Sequence, residues 1–96
     1  MEIKYYDKHF DKFKGLMFKK NFDYGVRLRC NGIHTFFMKE NINVILTDKN
    51  NKVIKIFYDL KPWRIILPIN GVYYTYELPT SYKLDIKENE TLPNEW

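Results

Sequence analysis

Alanine and glutamine do not occur in this 96-residue chain. Losing the strongest helix former leaves a composition rich in Lys, Ile, Tyr, Phe and Asn, in which β-branched and aromatic side chains suit a pleated, half-buried surface. A mainly β domain follows. Cysteine occurs once, at Cys30, which excludes an intrachain disulfide. Long apolar runs are missing too: Val44-Ile45-Leu46 and Ile65-Ile66-Leu67 fall far short of the ~20 residues a bilayer span needs. No charged start followed by an apolar stretch marks a secretory signal, so the chain reads as cytoplasmic, with no membrane partner expected. The four glycines, Gly15, Gly25, Gly32 and Gly71, are isolated, which excludes a glycine-rich phosphate loop.

Arginine is scarce as well, with only Arg27, Arg29 and Arg64 against 13 lysines. Only arginine offers the planar fork that grips phosphate or guanine in two places, so a net charge of +4 is weak evidence for nucleic acid. The charge is uneven. Residues 1–39 hold 9 cations and 4 anions, and residues 40–96 hold 7 and 8, so any polyanion-facing surface should lie in the N-terminal half.

What is present reads as strands and turns of a single domain spanning residues 1–96. Met1 to Tyr6 can start as an edge strand. Asp7 can cap a short helix in which Phe10, Phe13 and Met17 recur at helical spacing, with Gly15 near its end. Val26-Arg27-Leu28-Arg29 alternates, which sends both arginines to solvent. Residues 42–47 and 52–58 flank Asp48-Lys49-Asn50-Asn51, a turn rich in residues that tolerate the left-handed backbone, and predict a hairpin.

Asn70-Gly71 predicts a second hairpin between residues 63–69 and 72–78, with Trp63, Ile65, Leu67 and Ile69 as an inward apolar row. A tight two-residue turn there sets Arg64 opposite Glu77. Residues 83–87 alternate as a last strand, and the acidic tail 88–96 should fray. Packing one hairpin over the other gives a compact β-sandwich or a flattened barrel with one short N-terminal helix.

The order Lys14-Gly15-Leu16-Met17-Phe18, then Cys30-Asn31-Gly32-Ile33-His34-Thr35-Phe36-Phe37-Met38, then Lys61-Pro62-Trp63-Arg64 and Glu77-Leu78-Pro79 resembles family 192 of the domains of unknown function. The resemblance covers about residues 8–92. It implies a sandwich-like β fold with a short N-terminal helix, in bacteria and archaea, and brings no activity, cofactor or partner. The chain departs from the family pattern at Asn43, where an aspartate is usual, and at Thr80-Ser81 and Asn89-Glu90, where glycine-containing turns are usual.

Three functional readings compete. The first is a non-catalytic ligand-binding or accessory module for a small planar or anionic molecule. In it His34 donates a hydrogen bond, Trp63 stacks, Arg64 contacts an anion and Glu77 accepts. The simpler account of Arg64 and Glu77 is a cross-strand ion pair. A second reading makes Cys30 and His34 a nucleophile and base, or half of a metal site. A structural zinc site needs about four ligands, and no second cysteine or clustered histidine supplies them. The third is weak polyanion binding through the basic half. Tyr73, Tyr74 and Tyr76 with Phe36 and Phe37 could form a stacking platform, but small β domains fill their cores with such rings. The first reading is preferred, with no catalytic residue, no metal and no cofactor.

Overall fold

The computed structural model describes residues 1–6 and 20–96. Seven strands appear among the described residues: β1 (Ile3–Tyr6), β2 (Gly25–Leu28), β3 (Ile33–His34), β4 (Ile42–Thr47), β5 (Val53–Leu60), β6 (Ile65–Ile66) and β7 (Tyr74–Pro79). Five form one sheet in the order β1-β2-β7-β4-β5, and β3 pairs with β6 in a separate ribbon. The chain is therefore mainly β. The larger sheet ends at β1 and β5 instead of closing, so the flattened barrel is not formed. No helix occurs among the described residues, and the one expected after Asp7 lies outside them.

The first hairpin forms as its turn chemistry dictates. Asp48 Oδ1 accepts the N–H groups of Asn50 at 2.8 Å and Lys52 at 3.0 Å, while Asn51 adopts a φ of 63°. An aspartate that accepts backbone N–H groups two and four residues on fixes the turn before any strand pairing is needed. At the other end, Asn43 Oδ1 accepts the Asp59 N–H at 2.8 Å beside a register shift between Ile42 and Val44. The amide oxygen at 43 thus does what a carboxylate oxygen could also do.

The second hairpin does not form. Its turn closes, with the Val72 N–H on the Ile69 carbonyl at 3.1 Å and Gly71 at a φ of 91°. The ladder goes no further, because Asn31 holds the Ile69 backbone from both sides, donating at 2.8 Å and accepting at 2.9 Å. Pro68, with no N–H to give, precedes it. β7 instead enters the centre of the large sheet between β2 and β4, where both of its edges are paired. Glu77 consequently pairs in register with Val26 and Val44, not with Arg64.

Alternation along β7 and β4 divides the core in two. Val26, Leu28, Ile42, Val44 and Leu46 pack on one face with Ile66, Val72 and Met38 beyond them. On the opposite face Ile45, Tyr76 and Leu78 pack against Val53, Ile56 and Leu92. Gly25 lies in β2 where neighbours crowd it: a Cβ there would lie 2.5 Å from Leu78 Cδ2 and 2.7 Å from Ile3 Cδ1.

Three further features differ from expectation: the tail, residues 83–87 and Arg27. The acidic tail does not fray. Glu90 accepts the Val53 N–H at 2.8 Å, the Leu92 N–H reaches Asn51 at 2.9 Å, and Trp96 packs on Tyr76 and Tyr82 at 5.9 and 6.1 Å. Leu92 and Trp96 are the apolar residues that hold it. Residues 83–87 form no strand, although Leu84 and Ile86 pack against the same core face. Arg27 is half-buried, its guanidinium 4.3 Å from the Tyr5 ring and 4.2 Å from the Tyr74 ring, whereas Arg29 is exposed as expected.

Tyr76 lies at this centre, fully buried, with its hydroxyl donating to Asn51 Oδ1 at 2.7 Å. Burial pushes its phenol from 10.0 up to about 12, against the opposing pull of Arg27. The unfolded chain releases this proton first as pH rises, so Tyr76 contributes full stability below pH 10.0 and loses it as pH climbs toward about 12. Urea unfolding across that window should show the native state weakening, with a smaller loss in Tyr76→Phe. An equal loss in the variant would assign the effect to other groups.

Candidate functional site

The ribbon of β3 and β6 pairs Ile33 with Ile66 and His34 with Ile65. Paired residues share a face, so Ile66 turns into the core at 6% exposure while His34 and Ile65 turn out. Trp63, Ile65 and Leu67 are 57%, 62% and 73% exposed. The apolar row read as inward thus points to solvent. A shift of one residue exchanges the two faces of a strand, and Ile66 is the residue that the core accepts.

Thr35 joins the two segments. Its hydroxyl donates to the Lys61 carbonyl at 2.8 Å and accepts the Arg64 N–H at 2.8 Å. Its own N–H reaches the Arg64 carbonyl at 2.8 Å, and its carbonyl accepts the Trp63 N–H at 3.0 Å. Thr35 itself is 1% exposed, so its end of these bonds is shielded from water. The chain then turns over residues 35–38, so β3 ends at His34.

That turn creates a ridge of rings. His34 stacks on Phe36 at 4.6 Å, Phe36 on Trp63 at 5.4 Å, and Phe37 meets Trp63 edge-on at 4.9 Å. Offset and edge-on contacts at these separations are the favoured ring geometries. Phe37 and Trp63 each carry a φ of 63°, a costly conformation for aromatic residues that the Thr35 bonds over-determine. His34 Nδ1 accepts the Phe36 N–H at 3.2 Å, which leaves the proton of the neutral ring on Nε2 as an outward donor. Arg64 is exposed, with Nη1 3.4 Å from the Pro62 carbonyl.

Of the four residues expected at a ligand site, His34, Trp63 and Arg64 lie on or beside this ridge. Glu77 does not: it is 4% exposed on the core face of β7. Its register position removes both the expected acceptor role beside Arg64 and the cross-strand ion pair. Thr35, Ile65 and Leu67 are the ridge residues that sequence reasoning missed, and Phe36 and Phe37 belong here more than to the core. The Pro62-Trp63 break is the signal that could have separated residues 63–67 from a core strand. Cys30 is half-buried against the first core face, and its carbonyl accepts the Thr75 hydroxyl at 3.1 Å. Among the described residues no group of three or more His, Cys, Asp or Glu side chains is placed to hold a metal ion.

An open cleft of about 530 Å³ lies elsewhere, lined by Phe22, Asp23, Glu40, Asn41, Asp59 and Thr80 among others. Two of its three carboxylates are engaged locally. Glu40 accepts the Asn21 N–H at 3.2 Å and Asp59 accepts from Asn41 at 3.0 Å.

The fold and ridge define a small β domain with an exposed aromatic face. The chain is 39% identical over 92 residues to a UPF0127 protein of Pyrococcus horikoshii, covering 90% of this chain and 79% of that one. It belongs to the UPF0127 family, an uncharacterised archaeal family. A second relative, from Pyrococcus furiosus, is 34% identical over 85 residues, covering 82% of this chain and 72% of its own length. A protein of unknown function from Novosphingobium aromaticivorans shares the fold at a TM-score of 0.70 and 14% identity, over 80% of this chain and 61% of that one. No protein-family model matches, so the resemblance to family 192 is not confirmed by one.

Proposed function

We propose that the protein is a non-catalytic binding module and that the ridge of His34, Phe36, Phe37, Trp63, Ile65 and Leu67 is its contact face. The observation that supports this is a rigidly held row of apolar side chains left exposed outside the core, a placement that ordinarily marks an interaction site. Arg64 beside Trp63 suits the ridge to an apolar partner carrying negative charge. The half-buried lone cysteine fits a reducing, cytoplasmic setting. The order of the four motifs supports the finer placement in family 192 of the domains of unknown function.

Polyanion binding by the basic half has less support. Lys4 lies 4.0 Å from the Tyr24 ring and Arg29 5.1 Å from the Tyr73 ring, while Arg27 is held between two tyrosines. Those cations already have aromatic partners.

Titration with anilinonaphthalenesulfonate, a planar apolar anion, tests the binding face. The dye should bind the wild type saturably and quench Trp63. Trp63→Ala should weaken it roughly three- to tenfold, the value of one aromatic contact, and Arg64→Ala by about two- to fivefold. Unchanged affinity in both variants would refute the assignment.

A further inference from the structure

We propose that the ridge docks onto an anionic lipid bilayer, making the protein a peripheral membrane binder. This rests on reading the ridge as the binding face. The charge pattern carries it first. Residues 33–39 and 61–69, which build the ridge, contain the cations Lys39, Lys61 and Arg64 and no carboxylate, although the chain has 12. All three of these side chains are exposed.

The order of side chains along the ridge carries it next. Leu67 and Ile65 are its most exposed members at 73% and 62%, with Trp63 close behind at 57%. An aliphatic tip would enter the acyl boundary. The rings of Trp63, Phe36 and Phe37 would sit at headgroup depth, where aromatic side chains concentrate, and the cations would meet the phosphates. Insertion would be shallow, and no helix among the described residues is long and apolar enough to cross a membrane.

Size and rigidity favour lipid over protein. A stable protein interface engages about 20–30 residues a side on complementary surfaces, whereas this ridge presents five apolar side chains from two short segments. A fluid bilayer conforms to so narrow a feature. The Thr35 bonds hold the row in place before contact, which lowers the ordering cost of docking.

The full chain should co-sediment with phosphatidylglycerol vesicles at low salt, less with phosphatidylcholine vesicles, and less again as salt is raised. Lys61→Ala should reduce partitioning about fivefold, the effect of one surface cation. Leu67→Ser, at a position too exposed to disturb folding, should reduce it by at least about fivefold. A blue shift of emission on vesicle addition should be lost in Trp63→Phe. Failure of the wild type to sediment with anionic vesicles at low salt, or wild-type partitioning by both Lys61→Ala and Leu67→Ser, would overturn the lipid assignment. Dye binding at the ridge without vesicle binding would instead assign it to an acidic protein segment. Loss of both would remove the ridge as a binding face altogether.

Discussion

Leu92→Ala should lower the free energy of unfolding by about 2–4 kcal/mol, the range for truncating a buried leucine. In urea the midpoint should fall while the slope stays constant. The expectation rests on the tail being core. Leu92 is 3% exposed and packs with Ile45, Val53, Tyr76 and Leu78, and the backbone around it is bonded to Asn51 and Val53. A position four residues before Trp96 in an acidic, proline-containing segment would otherwise tolerate such a change. A loss below about 0.5 kcal/mol, typical of surface positions, would mean that the tail does not cover this face.

Thr35→Val should cost about 2–3 kcal/mol, because valine keeps the shape and deletes the hydroxyl that serves Lys61 and Arg64 together. The Arg64 N–H and Lys61 carbonyl would be left without that partner in a buried setting. Thr35→Ser is the control: it retains the hydroxyl, loses one methyl and should cost less than half as much. The functional consequence is separable from stability. With the clamp gone, the left-handed backbone at Trp63 should relax and anilinonaphthalenesulfonate affinity should fall even where the variant is fully folded. Equal stability of the valine and serine variants would show that the hydroxyl bonds contribute nothing net.

Local chemistry was legible in the sequence and long-range pairing was not. The Asp48 turn is specified by bonds within five residues, so the first hairpin could be read directly. Asn70-Gly71 also turns as its chemistry requires, but which strands a turn joins depends on competitors distant in sequence. Here Asn31 holds Ile69 from 38 residues away, and β4 and β2 take β7. That single misassignment explains several errors at once: Glu77 moved beside Arg64, and the row through Trp63 was turned inward.

The candidate site was partly legible for the same reason. His34, Trp63 and Arg64 could be named as residue types suited to binding, and they do converge on one ridge. Thr35 gave no signal, because a buried threonine hydroxyl acquires its role only when the carbonyl of Lys61, 26 residues on, arrives beside it. The arginines show the limit of alternation. Arg29 faces solvent, but Arg27 is captured between Tyr5 and Tyr74, since β1 and β7 flank β2 and supply rings on both sides.

Amide chemical-shift mapping of the ¹⁵N-labelled protein with anilinonaphthalenesulfonate tests the ridge most directly. Shifts confined to His34, Phe36, Phe37 and residues 63–67 are expected. Shifts centred on the cleft of Phe22, Asn41 and Thr80, or around Cys30, would contradict the ridge as the binding face.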